Sequence, residues 1–238
     1  MIKFSEIVFY LLIGVCIGSF LNVLIYRVPL RRSLLWPPSS CPNCQHRLSP
    51  SDLVPVLSYL WLKGKCRYCR KPIKLSYLVV ELIAGVSTVF WVLRFHGQAS
   101  EGWRLILIYA MIVITAIDLK THLIPNRLTY PLILSGLVYR WAQGEIGAAL
   151  LGGMVGGGIL LLICFFYPKG MGMGDVKLLT LLGILLGVDG VMRTLFWGSL
   201  SGAVLLSPLV WKGRIGRQQP VPFAPFLAVG TFVVLFFP

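Results

Sequence analysis

Two cysteine pairs and two aspartates carry most of the chemistry open to this chain. Cys41-Pro-Asn-Cys44 and Cys66-Arg-Tyr-Cys69 are C-x-x-C knuckles with 21 residues between Cys44 and Cys66. Four thiolates presented by two such turns suit tetrahedral zinc. Two disulfides are the alternative, disfavoured in a reducing compartment. A thioredoxin-like redox motif would need a single C-x-x-C in a βαβ setting. With all four cysteines as ligands no position stays open for water, so the metal would be structural and would fold an insert too small to build its own core. His46 is close by but is not needed as a ligand, and Cys16 and Cys164 lie in apolar stretches where they read as packing residues.

The chain has eight acids. Asp118 and Asp175 stand out because each falls at the edge of an apolar stretch, where a charge is costly and seldom incidental. Brought together, two carboxylates cannot both ionise easily, so one keeps its proton. The ionised partner can take a proton from water while the protonated one polarises an amide carbonyl, which is peptide hydrolysis without a metal or covalent intermediate. Gly170-Met-Gly172-Met-Gly174 runs directly into Asp175. Glycines allow close approach of backbone, and an extended peptide could lie against such a strip. Lys177 follows and could bias the ionisation of a nearby acid. Taken singly, Asp118 reads equally as an interfacial residue beside Lys120, and Asp175 as a helix N-cap. Glu81 sits inside an apolar stretch where it needs a partner or water, and is a candidate for a second site. His122 lies near Asp118 and reads equally as a solvated loop residue. Glu6, Glu101, Glu145 and Asp189 read as surface residues, and Asp52 belongs to the cysteine insert.

The elements that position these residues are membrane helices. Hydrophobic residues make up 57% of the 238 residues, charged residues 13%, and mean hydropathy is +0.82. Soluble domains are nearer a quarter charged. Apolar stretches predict about eight spans: Glu6 to Tyr26, Ser76 to Leu93, Trp103 to Ile117, Leu128 to Trp141, Ile146 to Tyr167, Val176 to Val188, Val191 to Trp211 and Val221 to Phe237. The first resembles a signal peptide but runs into Arg27 to Arg32 without a small-residue cleavage site, so it reads as a retained helix. Gly14 and Gly18 in the first span, and Gly152, Gly153, Gly156, Gly157 and Gly158 in the fifth, predict close helix packing. The expected organisation is a first helix over 1–26, a cysteine insert over 27–75, and a helical membrane domain over 76–238.

Alternating eight spans with the cysteine insert in the cytoplasm leaves only Lys3, Arg94, Arg104, Arg140 and Arg193 of the 22 basic residues on the other side. That is the bias of the positive-inside rule. It places both aspartates at the cytoplasmic ends of their spans. It also accounts for the net charge of +14 without nucleic acid, for which the chain lacks an aromatic and basic alternation.

Several motifs follow one another along the chain: Gly18-Ser-Phe-Leu-Asn22 through Tyr26-Arg27-Val-Pro29, the two cysteine pairs, Ser76-Tyr77 through Glu81, Asp118 through Pro125-Asn126, Gly172-Met-Gly174-Asp175-Val-Lys177, and Pro222-Phe223-Ala-Pro225-Phe226. In this order they resemble the bifunctional type IV prepilin peptidases, the leader peptidase/N-methyltransferases. The resemblance implies a G-x-G-D aspartic protease of the bacterial inner membrane. Asp118 and Asp175 would be its catalytic pair and Cys41, Cys44, Cys66 and Cys69 its zinc ligands. It would cleave the basic leader of type IV prepilins or secretion-system pseudopilins after a glycine on the cytoplasmic side. It would then methylate the new N-terminus from S-adenosylmethionine. That methyl donor has no G-x-G-x-x-G turn to sit on, and Glu81 is the candidate near its site. The rival readings are a related G-x-G-D protease with another substrate, a proton-coupled transporter whose paired aspartates form a relay, and a zinc-bearing scaffold.

Overall fold

The computed structural model describes residues 3–167, 172–213 and 221–237. Gly170 of the glycine strip, Lys169, and Arg214 and Arg217 of the basic loop lie outside the described residues. The described residues are helical and contain no β-strand, only two isolated bridges. Among the described residues five helices are long and apolar enough to cross a membrane, and the chain is a multi-pass membrane protein. It divides into two compact units, Met1–Val113 and Ile114–Pro238.

In the first unit, α1 (Phe4–Arg27) packs against α3 (Ser76–Phe95). The small residues set the spacing, as their four-residue interval predicts. A Cβ at Gly18 would come 2.7 Å from the Glu81 Cα, and one at Gly14 would come 2.7 Å from the Gly85 Cα. No side chain fits between the two backbones. Between the helices the insert folds as two matching turns. The Cys41 N–H donates to the His46 carbonyl, and the Cys66 N–H donates to the Lys71 carbonyl. Gln45 and Arg70, each following the second cysteine of its pair, both adopt positive φ (58° and 59°). A short α2 (Leu57–Trp61) lies between the knuckles.

The α4 helix (Gly102–Thr121) runs past the expected end at Ile117, so Asp118 lies one turn inside a helix and not in a polar loop. His122 ends it with a φ of 52°. The second unit continues with α5 (Asn126–Ala142), α6 (Ile146–Phe166), α7 (Met173–Trp211) and α8 (Ala224–Phe236).

The sixth and seventh expected spans form α7, which is not one rod. Gly187 has φ 73° and ψ −176°, a backbone state open in practice only to glycine. In an unbroken helix, Cβ atoms four residues apart stand about 5–6 Å from each other. A Cβ on Gly190 would lie 2.6 Å from that of Leu186, so the chain doubles back at Gly187. The returning arm packs antiparallel to α8: Gly190 faces Val234, while Gly198 and Gly202 face Phe226. The eight expected apolar segments are therefore present, two of them joined by a glycine break.

Four of the six α6 glycines, Gly152, Gly153, Gly156 and Gly157, build the seam with α7. The backbones of Gly152 and Gly183 meet so closely that a Cβ on either would overlap the other's carbonyl, whereas Gly158 has no neighbour within 4 Å. Gly183→Val is therefore expected to destabilise the protein by about 1–3 kcal/mol through overpacking. Gly158→Val is expected to leave thermal denaturation in detergent unchanged. Equal melting of the two variants would rule out this seam.

Candidate active site and metal centre

Three helix ends of the second unit converge on Asp118. Its side chain is 5% exposed, and its Oδ2 accepts the Ala224 N–H at 3.3 Å. That donor belongs to the first turn of α8, whose free N–H groups and dipole favour a carboxylate. Pro225 costs that turn nothing, because proline is tolerated where no intrahelical acceptor exists. The His122 side chain lies within electrostatic reach of Asp118, and the His122 backbone N–H donates to the Asp118 main-chain carbonyl at 2.8 Å.

Asp175 lies in the first turn of α7, half-buried, and its carboxyl is within coulombic reach of Asp118. Two carboxyls 57 positions apart in sequence thus come within electrostatic reach of each other. Asp175 is not the helix cap. Gly172 takes that position with extended backbone (φ −87°, ψ 148°), and its carbonyl accepts the Asp175 N–H at 3.1 Å. The carboxyl of Asp175 turns back over Gly172, with Oδ2 3.8 Å from where a Cβ would stand. A Cβ on Gly174 would come 3.0 Å from the Ile124 Cβ, so this glycine lets α7 start against the turn that follows α4. Lys177 points to α5: its Nζ donates to Asn126 Oδ1 at 2.9 Å and sits 5.1 Å from the centre of the Tyr130 ring. It braces the Pro125-Asn126 turn against α7. The Ala224 donor was not singled out from sequence. Its only signal was its place inside the Pro222 to Phe226 motif, because a backbone N–H leaves no trace in residue type.

In the first unit the four cysteine sulfurs lie within 4.8 Å of one another, and Cys41 and Cys69 sulfurs are 3.9 Å apart. A disulfide needs about 2.05 Å. Tetrahedral coordination with Zn–S bonds of about 2.3 Å implies S–S edges of about 3.8 Å, so the cluster has the dimensions of a metal site. Burial would raise the Cys41 thiol, but the N–H groups of Cys44 and Asn43 and the sulfurs of Cys66 and Cys44 bring it down to about 7. The Lys71 N–H favours a thiolate at Cys69, yet burial and the other three sulfurs push it up to about 11. The first proton leaves readily and the last is held, so complete deprotonation calls for a cation.

Around the knuckles, His46 stacks on Tyr68 with ring centres 3.7 Å apart. Asp52 ties the insert together, bridging Arg67 at 2.7 Å and accepting from the Ser49 hydroxyl at 2.7 Å. Burial would raise its carboxyl, but Ser49, Arg67 and Tyr68 outweigh that and hold it below the usual carboxylate range. Glu81 is buried on α3, and its Oε2 accepts the Val56 N–H at 2.7 Å. Val56 has φ 61° and ψ −53°, and Leu57 N–H bonds the Pro55 carbonyl across it. This is a γ-turn of the rare positive-φ kind, strained for a β-branched residue.

Residues 12–95 match the bacterial peptidase A24 N-terminal domain, and residues 105–207 match the type IV leader peptidase family. The chain belongs to the type IV leader peptidase family. It is 32% identical to a prepilin leader peptidase/N-methyltransferase of Burkholderia pseudomallei over 98% of this chain and 85% of that protein. It is 35% identical to the protein of that name from Pectobacterium carotovorum (92% and 88% covered), and 33% identical to the one from Bacillus subtilis (92% and 90%). No solved structure matches the chain. The cysteine cluster and Glu81 fall within the first family match, and Asp118 and Asp175 within the second.

Proposed function

We propose that this chain is a prepilin leader peptidase and N-methyltransferase whose proteolytic pair is Asp118 and Asp175. Membership of the leader peptidase family supports the activity, and the meeting of two carboxyls beside the first N–H of α8 carries the assignment of residues. The substrate's apolar helix lies among the spans, with the leader junction at the site. The basic residues gathered on one side of the span pattern support a cytoplasmic site in a bacterial inner membrane. The leader of a prepilin or pseudopilin is cut after glycine.

The pair holds one proton between its two carboxyls. The ionised carboxyl accepts a proton from water as the water oxygen bonds to the scissile carbonyl carbon. The protonated carboxyl donates to the carbonyl oxygen. The tetrahedral carbon then expels the amine as the nitrogen takes up the proton first removed from water, a hydroxyl of that carbon returns its proton to the other carboxyl as the new C=O forms, and the pair again holds one proton. The Ala224 N–H fixes the Asp118 carboxyl throughout. Purified enzyme in a bilayer should remove the leader from a prepilin; an intact substrate after prolonged incubation would sink the proposal.

Cys41, Cys44, Cys66 and Cys69 would hold a zinc ion that cross-links the insert. S-adenosylmethionine supplies the methyl group as a sulfonium-activated electrophile. Glu81 is the candidate contact for it. A carboxylate that accepts one backbone N–H keeps acceptor capacity for an ammonium or ribose hydroxyls. Glu81→Gln retains an oxygen for the Val56 N–H and removes the charge. Methylation and donor binding are expected to fall about 10- to 100-fold, the value of a charged hydrogen bond, while leader cleavage is retained. Equal methylation by parent and variant would remove Glu81 from that role.

A further inference from the structure

The short helix inside the cysteine insert exposes an apolar face that no described residue covers. Leu57, Leu60 and Trp61 stand at i, i+3 and i+4 on α2, with exposures of 58%, 59% and 87%. That spacing places them on one side of the helix. A cluster of exposed apolar side chains on one face of a short helix marks a contact surface.

The depth of the insert identifies what touches it. The α3 helix has 20 residues, about 30 Å, which just spans the hydrocarbon core, so Ser76 stands near one edge. Glu81 is five residues further along, about 7.5 Å deeper. Its carboxylate holds the Val56 N–H at 2.7 Å, and Val56 is the residue immediately before α2. The start of α2 is therefore pinned below the membrane surface and not held out in water. Charge agrees with this. Between Arg27 and Leu75 the insert carries ten basic residues and a single acid, Asp52, which is bridged to Arg67. Lys63, two residues beyond the end of α2, and Lys74 are exposed. A basic rim around Leu and Trp matches an anionic headgroup layer over acyl chains.

We propose that α2 is an interfacial anchor, with Leu57, Leu60 and Trp61 inserted among the lipids at the headgroup and acyl boundary and Glu81 setting its depth. The insert is then a lid lying on the bilayer, and the strained turn at Val56 is held by the need to bring α2 down to that level. The lipid contact of Leu57, Leu60 and Trp61 does not depend on leader cleavage.

The test uses the full chain in lipid nanodiscs. The tryptophan emission of Trp61→Phe is subtracted from that of the parent to isolate Trp61. We expect this difference emission to be quenched by lipids brominated high on the acyl chain and shielded from aqueous iodide. Leu57→Ser with Leu60→Ser should reverse both effects. Free quenching by iodide with no response to brominated lipid overturns the proposal. Shielding that arises only when a prepilin is added also overturns it, since the face would then dock substrate. Glu81→Ala should release α2 and raise iodide quenching, and an unchanged signal would refute the depth-setting role.

Discussion

Asp118→Asn and Asp175→Asn are each expected to lower leader cleavage by about a hundred- to ten-thousand-fold, the contribution of a positioned acid or base. Asparagine keeps an oxygen in place of Asp118 Oδ2, so the Ala224 N–H retains its acceptor and α8 its position. What is lost is the ability to pass a proton. The double variant should be little worse than either single one, because residues that act as a unit are strongly non-additive. Methylation of an already shortened pilin peptide should survive in all three. The measurement is single-turnover cleavage of a prepilin, with methyl incorporation followed separately. Near-parental cleavage by either single variant removes the pair from the mechanism. Loss of methylation alongside cleavage would instead point to a folding defect.

Cys66→Ser is expected to empty the metal site and unfold the insert. Cys66 is 3% exposed and sits with three other sulfurs inside a 4.8 Å cluster. Structural zinc contributes about 10–16 kcal/mol to small domains that lack a core, more than the scattered hydrogen bonds of this insert, such as those of Asp52, Arg27 and Glu81, supply. The parent should carry one zinc per chain, and the variant close to none. Amide exchange across residues 41–73 should become fast, while the α6 and α7 seam stays protected. A strong chelator should reproduce the pattern in the parent. A variant that keeps its metal, or an insert that stays protected without it, would dismiss the four-cysteine site.

Much of this was readable from residue types. A C-x-x-C pair declares its chemistry locally, since two residues per turn leave few ways to arrange the sulfurs. Apolar stretches declare membrane spans because lipid demands internal pairing of every backbone group. The small residues at Gly14, Gly18 and Gly152 through Gly157 predicted close approach for the same local reason. Span edges were harder. Asp118 ends an apolar stretch by composition, yet helical hydrogen bonding carries α4 on to Thr121. Lys177 stood near an acid in sequence, but on a helix that spacing turns it away, and it found Asn126 and Tyr130.

By itself the chain's sequence determined a multi-pass helical protein, a four-cysteine insert, and two acids worth watching, because each is a matter of local composition or spacing. Only the tertiary structure decided that the two carboxyls come within electrostatic reach of each other, that α7 folds back at Gly187, that the α8 N-terminus donates to Asp118, and that Glu81 reaches a strained turn at Val56. Those four depend on backbone groups and on contacts between residues far apart in the chain. A backbone N–H or a φ angle is common to every residue type, and which of them meet is settled by packing.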